Sequence, residues 1–100
     1  MIKHVVMWTL KENAGGRGME ENARLMKERL EGLPARIDGI RSFEVGLNFE
    51  GSEDASDIVL ISEFDSREDL EAYQAHPAHV EARDFIRGIR EEHRVVDYEF

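Results

Sequence analysis

Cysteine is absent from this 100-residue chain, which excludes a disulfide framework, a thiolate metal centre and a cysteine nucleophile. Basic residues are scarce as well: 13 Lys and Arg stand against 22 Asp and Glu, for a net charge of −9. A face that binds phosphates needs the opposite balance, so the composition argues against nucleic acid and anionic membrane surfaces as partners. No apolar run approaches the ~18 residues of a membrane span. The opening segment Met1-Ile2-Lys3-His4-Val5-Val6-Met7-Trp8 lacks the small-residue cleavage site of a secretory leader, and the cytoplasm is the expected compartment. Proline is rare, with two in the chain, and no repeat, low-complexity tract or linker interrupts the pattern. Residues 1–100 are expected to form one domain. What remains is 41% hydrophobic and 35% charged, the composition of one modest core under a heavily charged surface.

Hydrophobic periodicity divides the chain into alternating strands and helices. Ile2 to Leu10 alternates as a strand, with Ile2, His4, Val6, Trp8 and Leu10 on one face and Lys3, Val5, Met7 and Thr9 on the other. Both faces are apolar, so both are expected to be covered. Lys11 to Gly18, with its glycines, reads as a mobile loop. Met19 to Leu33 carries a helical stripe of Met19, Ala23, Met26, Leu30 and Leu33, closed by Gly32 and Pro34. Strands follow at Ile40–Phe49 and Asp57–Phe64. Ser66 is placed to cap a short helix that reaches about Ala75; Pro77 opens another that runs to about Glu92. Arg94 to Phe100 is the last strand. The order is that of an α+β, ferredoxin-like βαββαβ protomer with a four-stranded antiparallel sheet.

Helices on one side of such a sheet leave the other side bare. The expected assignment puts Val6, Trp8, Val59 and Ile61 beneath the helices. It puts Val5, Met7, Ile58, Leu60 and Phe64 on the open face. An apolar open face on a small acidic domain predicts a homodimer in which two sheets pack face to face.

Few residues have chemical potential. Tyr73, His76 and His79 are spaced by three, His4 lies on the first strand, Asp57 opens the third and Asp97 lies on the last. The positive end of a helix dipole keeps a histidine such as His79 neutral, which suits a general base. A tyrosine hydroxyl can polarise a carbonyl oxygen, and a carboxylate on the second nitrogen of a histidine fixes its tautomer. The bland readings are a capping histidine, a core-edge tyrosine, a satisfied core histidine at His4, a pre-proline turn at His76 and edge-strand charges at Asp57 and Asp97. His4, His76 and His79 match no standard ligand spacing, so no metal or other cofactor is expected.

The chain resembles the stress-responsive dimeric A/B barrel (Dabb) family. The likeness rests on Ile2-Lys3-His4-Val5-Val6-Met7-Trp8, Phe43-Glu44-Val45-Gly46-Leu47-Asn48, Asp57-Ile58-Val59-Leu60-Ile61-Ser62-Glu63-Phe64, the Tyr73-Gln74-Ala75-His76-Pro77-Ala78-His79 segment and Val95-Val96-Asp97-Tyr98. It implies a ferredoxin-like protomer and a homodimeric α+β barrel. A plant polyketide cyclase of that family, which performs a cofactor-free aldol condensation, is similar in the same segments. That similarity implies His79 as base, Tyr73 as the second catalytic group, Asp97 as the carboxylate that orients His79, and a pocket lined by His4, Val6, Trp8 and Val59. Asp57 stands where that enzyme has a pocket histidine, and Trp8 narrows the space.

Three functions are therefore open. One is a cofactor-independent acid–base enzyme of cyclase, lyase or isomerase type acting on a small, carbonyl-rich apolar compound, with His79, Tyr73 and Asp97 catalytic and His4, Val6, Trp8, Asp57, Val59 and His76 around the substrate. A second is a non-catalytic, stress-related homodimer. The third is a barrel that binds a small ligand or haem, with His79 or His76 as axial ligand.

Overall fold

The computed structural model describes residues 1–100, and its sheet is built around the first strand. Strand β1 (Ile2–Leu10) is central, in the order β4-β5-β1-β6, and every neighbouring pair is antiparallel. Its flanking partners are β5 (Ile58–Phe64) and β6 (Arg90–Glu99), and β4 (Ile40–Leu47) forms the far edge. Helices α1 (Met19–Glu31), α2 (Arg67–Ala75) and α3 (Pro77–Ile89) cover one face. Met26 and Leu30 of α1, Leu70 and Tyr73 of α2 and Ala82, Ile86 and Ile89 of α3 pack into one core with Ile2, Val6, Trp8 and Leu10. This is the ferredoxin-like α+β fold.

Local chemistry sets the helix boundaries. Gly32 stops α1 by donating its N–H to the Glu28 carbonyl at 3.2 Å, and a short 3-10 turn, Leu33–Ala35, carries the chain around. Ser66 Oγ accepts the Asp69 N–H at 3.2 Å and caps α2. Between α2 and α3 the chain breaks at His76, which is extended with ψ 137° because Pro77 follows it. The His76 ring then caps α3, its Nδ1 accepting the Ala78 N–H at 3.0 Å.

Three expectations are corrected here. The segment after β1 is not a mobile loop. Asn13–Ala14 (β2) and Arg17–Gly18 (β3) form a small hairpin, with Ala14 opposite Arg17. Gly15 and Gly16 make the turn at φ 62° and 77°, the positive values that a two-residue hairpin loop demands and that only glycine adopts freely. Asn22 of α1, fully buried, fastens it: Arg17 Nε donates to Asn22 Oδ1 at 2.7 Å, and Asn22 Nδ2 donates to the Ala14 carbonyl at 3.1 Å.

The faces of the third principal strand are also reversed from expectation. Residues directly opposed in an antiparallel pair share a face. Trp8 opposes Ile58, Val6 opposes Leu60 and His4 opposes Ser62. Ile58, Leu60, Ser62 and Phe64 therefore lie beneath the helices, all buried, while Val59 and Ile61 join Met7 and Val5 on the open face. Strand β6 adds Val96 to that face opposite Val5. β6 is also longer than expected. α3 ends at Ile89 and the strand begins at Arg90, bringing His93 opposite Trp8 and Asp97 opposite His4.

Candidate functional site

A cavity of ≈ 260 Å³ opens between the covered face of the sheet and helices α2 and α3. Val6, Trp8 and Leu60 supply its sheet wall, and Ala82 and Ile86 face them from α3. His4, Tyr73 and His79 converge at one end; Arg83 follows one turn of α3 from His79, and Arg87, Arg90 and His93 stand farther along, toward Trp8.

Tyr73 is central to the first group. Its ring is wholly buried, packed tilted on Phe64 at 5.2 Å and edge-on to Phe43 at 6.3 Å between centroids. Its hydroxyl is the single buried side-chain polar atom with no hydrogen-bond partner in the protein. An orphaned buried hydroxyl costs about 1–3 kcal/mol of desolvation, so native structures seldom retain one without a use. Burial also pushes its pKa up, away from the phenolate, so the group is a hydrogen-bond donor and not an anion.

Two histidines flank that ring. The His79 ring lies 4.5 Å from it and the His4 ring 6.3 Å. His79 sits in the first turn of α3, where Nδ1 meets the Gln74 carbonyl at 3.1 Å. A carbonyl only accepts, so Nδ1 carries the proton and Nε2 keeps its lone pair. Burial lowers the pKa of His79 despite that bond, and the neighbouring Arg83 and His4 lower it further. The ring is neutral at pH 7, as a base must be.

His4, 5% exposed, is held by Asp97 through Nδ1. This corrects the expected pairing, in which Asp97 orients His79. The β1–β6 register puts Asp97 directly across from His4, whereas the Nδ1 of His79 is already engaged by α2. Asp97 fixes the tautomer and orientation of His4 and leaves its Nε2 without a protein partner.

The remaining expected pocket residues lie elsewhere. Val59 is on the opposite face of the sheet, beside Met7 and Gly46. Asp57 ties the end of β1 to the start of β5: its Oδ2 accepts the Leu10 N–H at 2.7 Å, and its own N–H donates to the Trp8 carbonyl at 2.8 Å. His76 is the α3 cap, with Nδ1 occupied. Sequence reasoning missed Gln74 and the arginines of α3, although Arg83 and Arg87 follow His79 at helical spacing and that signal was available.

A family model described as the Stress responsive A/B Barrel Domain matches residues 2–100. Comparison with curated proteins finds no match. Among solved structures, a dimeric protein of unknown function and ferredoxin-like fold from Bacteroides fragilis is 38% identical, with a TM-score of 0.84 over 99% of this chain and 95% of its own. A Dabb family protein from Mesorhizobium loti is 24% identical with a TM-score of 0.78, over 99% of this chain and 95% of its own. A hydroxynitrile lyase from Passiflora edulis is 16% identical with a TM-score of 0.79, over 97% of this chain and 90% of its own. The last two likenesses show the shared fold.

Proposed function

The chain belongs to the stress-responsive A/B barrel (Dabb) family, and we propose that it is a cofactor-independent acid–base catalyst acting on a small carbonyl compound. Fold alone does not assign this; the observation that carries it is the partnerless buried hydroxyl of Tyr73, on a ring that neighbours two imidazoles each with Nδ1 engaged. A substrate carbonyl oxygen that accepts from Tyr73 would satisfy the orphaned donor. Nε2 of His79 would remove the proton next to that carbonyl, and Tyr73 would stabilise the enolate as charge develops on its oxygen. The proton taken up on His79 Nε2 exchanges with solvent and is returned from the same nitrogen to the enolate carbon, while His4, oriented by Asp97, borders the site with its ring 6.3 Å from that of Tyr73. A cavity of ≈ 260 Å³ falls just below the roughly 300–1,000 Å³ usual for ligand sites, so the substrate is small.

We further propose that the active form is a homodimer built through the open face of the sheet. Val5, Met7, Val59, Ile61 and Val96 lie together there without cover from any helix, and the relative from Bacteroides fragilis is described as dimeric.

The test is Tyr73→Phe. Deuterium uptake from heavy water at the α-carbons of cyclohexyl methyl ketone and of a panel of small ketones and β-keto esters reads enolisation directly by proton NMR. The parent should accelerate exchange, and Tyr73→Phe should slow it by about 10²–10³. Its stability should be unchanged or slightly raised, because the change deletes an unsatisfied buried group. No acceleration by the parent, or full rate in Tyr73→Phe, would refute the catalytic reading and favour a non-catalytic dimer.

A further inference from the structure

Charge is distributed around the cavity against the trend of the chain. The protein carries 22 acidic residues against 13 basic ones, yet the cavity wall holds Arg83, Arg87 and Arg90 and no Asp or Glu. Arg83 and Arg90 make no ion pair with any carboxylate, and Arg87 reaches Asp84 only at 4.0 Å. The Arg90 guanidinium instead lies against the ring of His93. Arg17, Arg24 and Arg29 are also without a carboxylate partner, so what sets Arg83, Arg87 and Arg90 apart is that they meet at one cavity. Grouping the three at one opening, with Arg83 and Arg87 exposed at its rim, builds a local positive field that draws a single anion to the mouth of the cavity.

The spacing gives this field a direction. His79, Arg83 and Arg87 are one stripe of α3 at intervals of four residues, with Ala82 and Ile86 beside them facing the sheet. At 1.5 Å rise per residue, the backbone of Arg83 lies about 6 Å from that of His79, and Arg87 about 12 Å. Between the imidazole end and the guanidinium end the wall is Val6, Leu60 and Ile86. We propose that the ligand of this cavity is an apolar oxo-carboxylate: a compound whose carboxylate is held by Arg83, Arg87 and Arg90, whose hydrocarbon body lies on Val6, Leu60 and Ile86, and whose carbonyl reaches Tyr73. The position of the carbonyl rests on the acid–base reading above; the anion anchor does not. Arginine suits the task because its planar fork binds a carboxylate through two parallel hydrogen bonds.

Trp8 is the single tryptophan and lines the cavity, so its emission reports occupancy at this place. Cyclohexanecarboxylate should change that emission saturably. Its uncharged amide, which keeps the body and loses the charge, should bind at least about tenfold more weakly. Acetate, which keeps the charge and loses the body, and inorganic phosphate at matched ionic strength should both leave the emission unchanged. The Arg83→Gln/Arg87→Gln double variant and the Arg90→Gln variant should each lower carboxylate affinity about three- to tenfold while leaving the amide alone. Raising sodium chloride to about 0.5 M should act in the same direction, since it screens the field. Equal affinity for acid and amide, undiminished carboxylate affinity in the arginine variants, or equal competition by phosphate would each overturn the inference. The two readings also fail separately. Arginine-dependent carboxylate binding without ketone exchange removes the acid–base reading and leaves this one. Ketone exchange without arginine-dependent carboxylate binding does the reverse.

Discussion

The behaviour of His79 follows from what surrounds a single ring. Its candidate role was legible in the sequence, because a histidine two residues past Pro77 must fall in the first turn of a helix. Its partner was not. Asp97 could be assigned to His79 only by analogy, and the pairing that forms is with His4, because strand register decides which side chains meet across a sheet and no local pattern encodes it. The environment of His79 makes a pH prediction. Burial, with Arg83 and His4 nearby, lowers its folded pKa below the ordinary histidine value of 6.5. In the window between 6.5 and the folded value, the unfolded chain binds more protons than the native one, so stability rises with pH there. The contribution is complete above pH 6.5 and is lost as the pH falls through the folded pKa. Urea denaturation at about pH 7.5, 6.5 and 5.5 should show a falling midpoint in the parent. His79→Gln should flatten that decline; an unchanged pH slope would mean that His79 is not the group responsible.

At the scale of elements, the chain told most where a side chain answers to its own neighbours in sequence and least where it answers to another strand. The Ser66 cap, the break before Pro77 and the stop at Gly32 are local chemistry and stand as expected. The alternation of residues 58–64 showed two apolar faces but not which one the helices cover; that depends on pairing with β1, and so Val59 and Leu60 exchange places relative to expectation. The β2–β3 hairpin was hidden for a related reason. Its glycines signal a turn, but what holds the turn in place is Asn22, an amide in the first turn of a helix that looks like surface from sequence alone. Asn22→Leu keeps the branched shape and heavy-atom count and removes those bonds, stranding the Ala14 carbonyl and the Arg17 guanidinium. It should cost roughly 1–3 kcal/mol in urea denaturation, with amide hydrogen exchange accelerating across Asn13–Gly18 while the central sheet stays protected. Loss of protection throughout the sheet, or in neither place, would show that the hairpin is not a separate unit fastened by this residue.

For the whole molecule, the sheet has two jobs that its two faces keep apart. The covered face holds the core and the cavity; the open face carries Val5, Met7, Val59, Ile61 and Val96, bordered by the Lys3–Glu63 ion pair at 3.6 Å. A second copy on that face would remove the apolar strip from water, at about 25 cal/mol for each Å² of apolar area buried. The register also decides which variant tests this. Leu60 is 2% exposed beneath the helices, so Leu60→Glu buries a charge in the core and unfolds the protomer whatever its oligomeric state. Ile61, directly opposite Val5 on the open face, is the informative position. Ile61→Glu puts a carboxylate beside Val5 without entering the core, and in a face-to-face dimer it brings two such charges into one apolar interface. Sedimentation velocity should find the parent as a dimer and Ile61→Glu as a monomer at the same concentration, with far-ultraviolet circular dichroism unchanged. A dimer that survives Ile61→Glu would move the interface off the sheet. A monomeric parent would leave the apolar strip without the partner proposed for it. Because His4, Tyr73 and His79 all lie on the helix-covered side of the sheet, the monomeric variant should still bind cyclohexanecarboxylate at Trp8, and that separates assembly from the chemistry of the cavity.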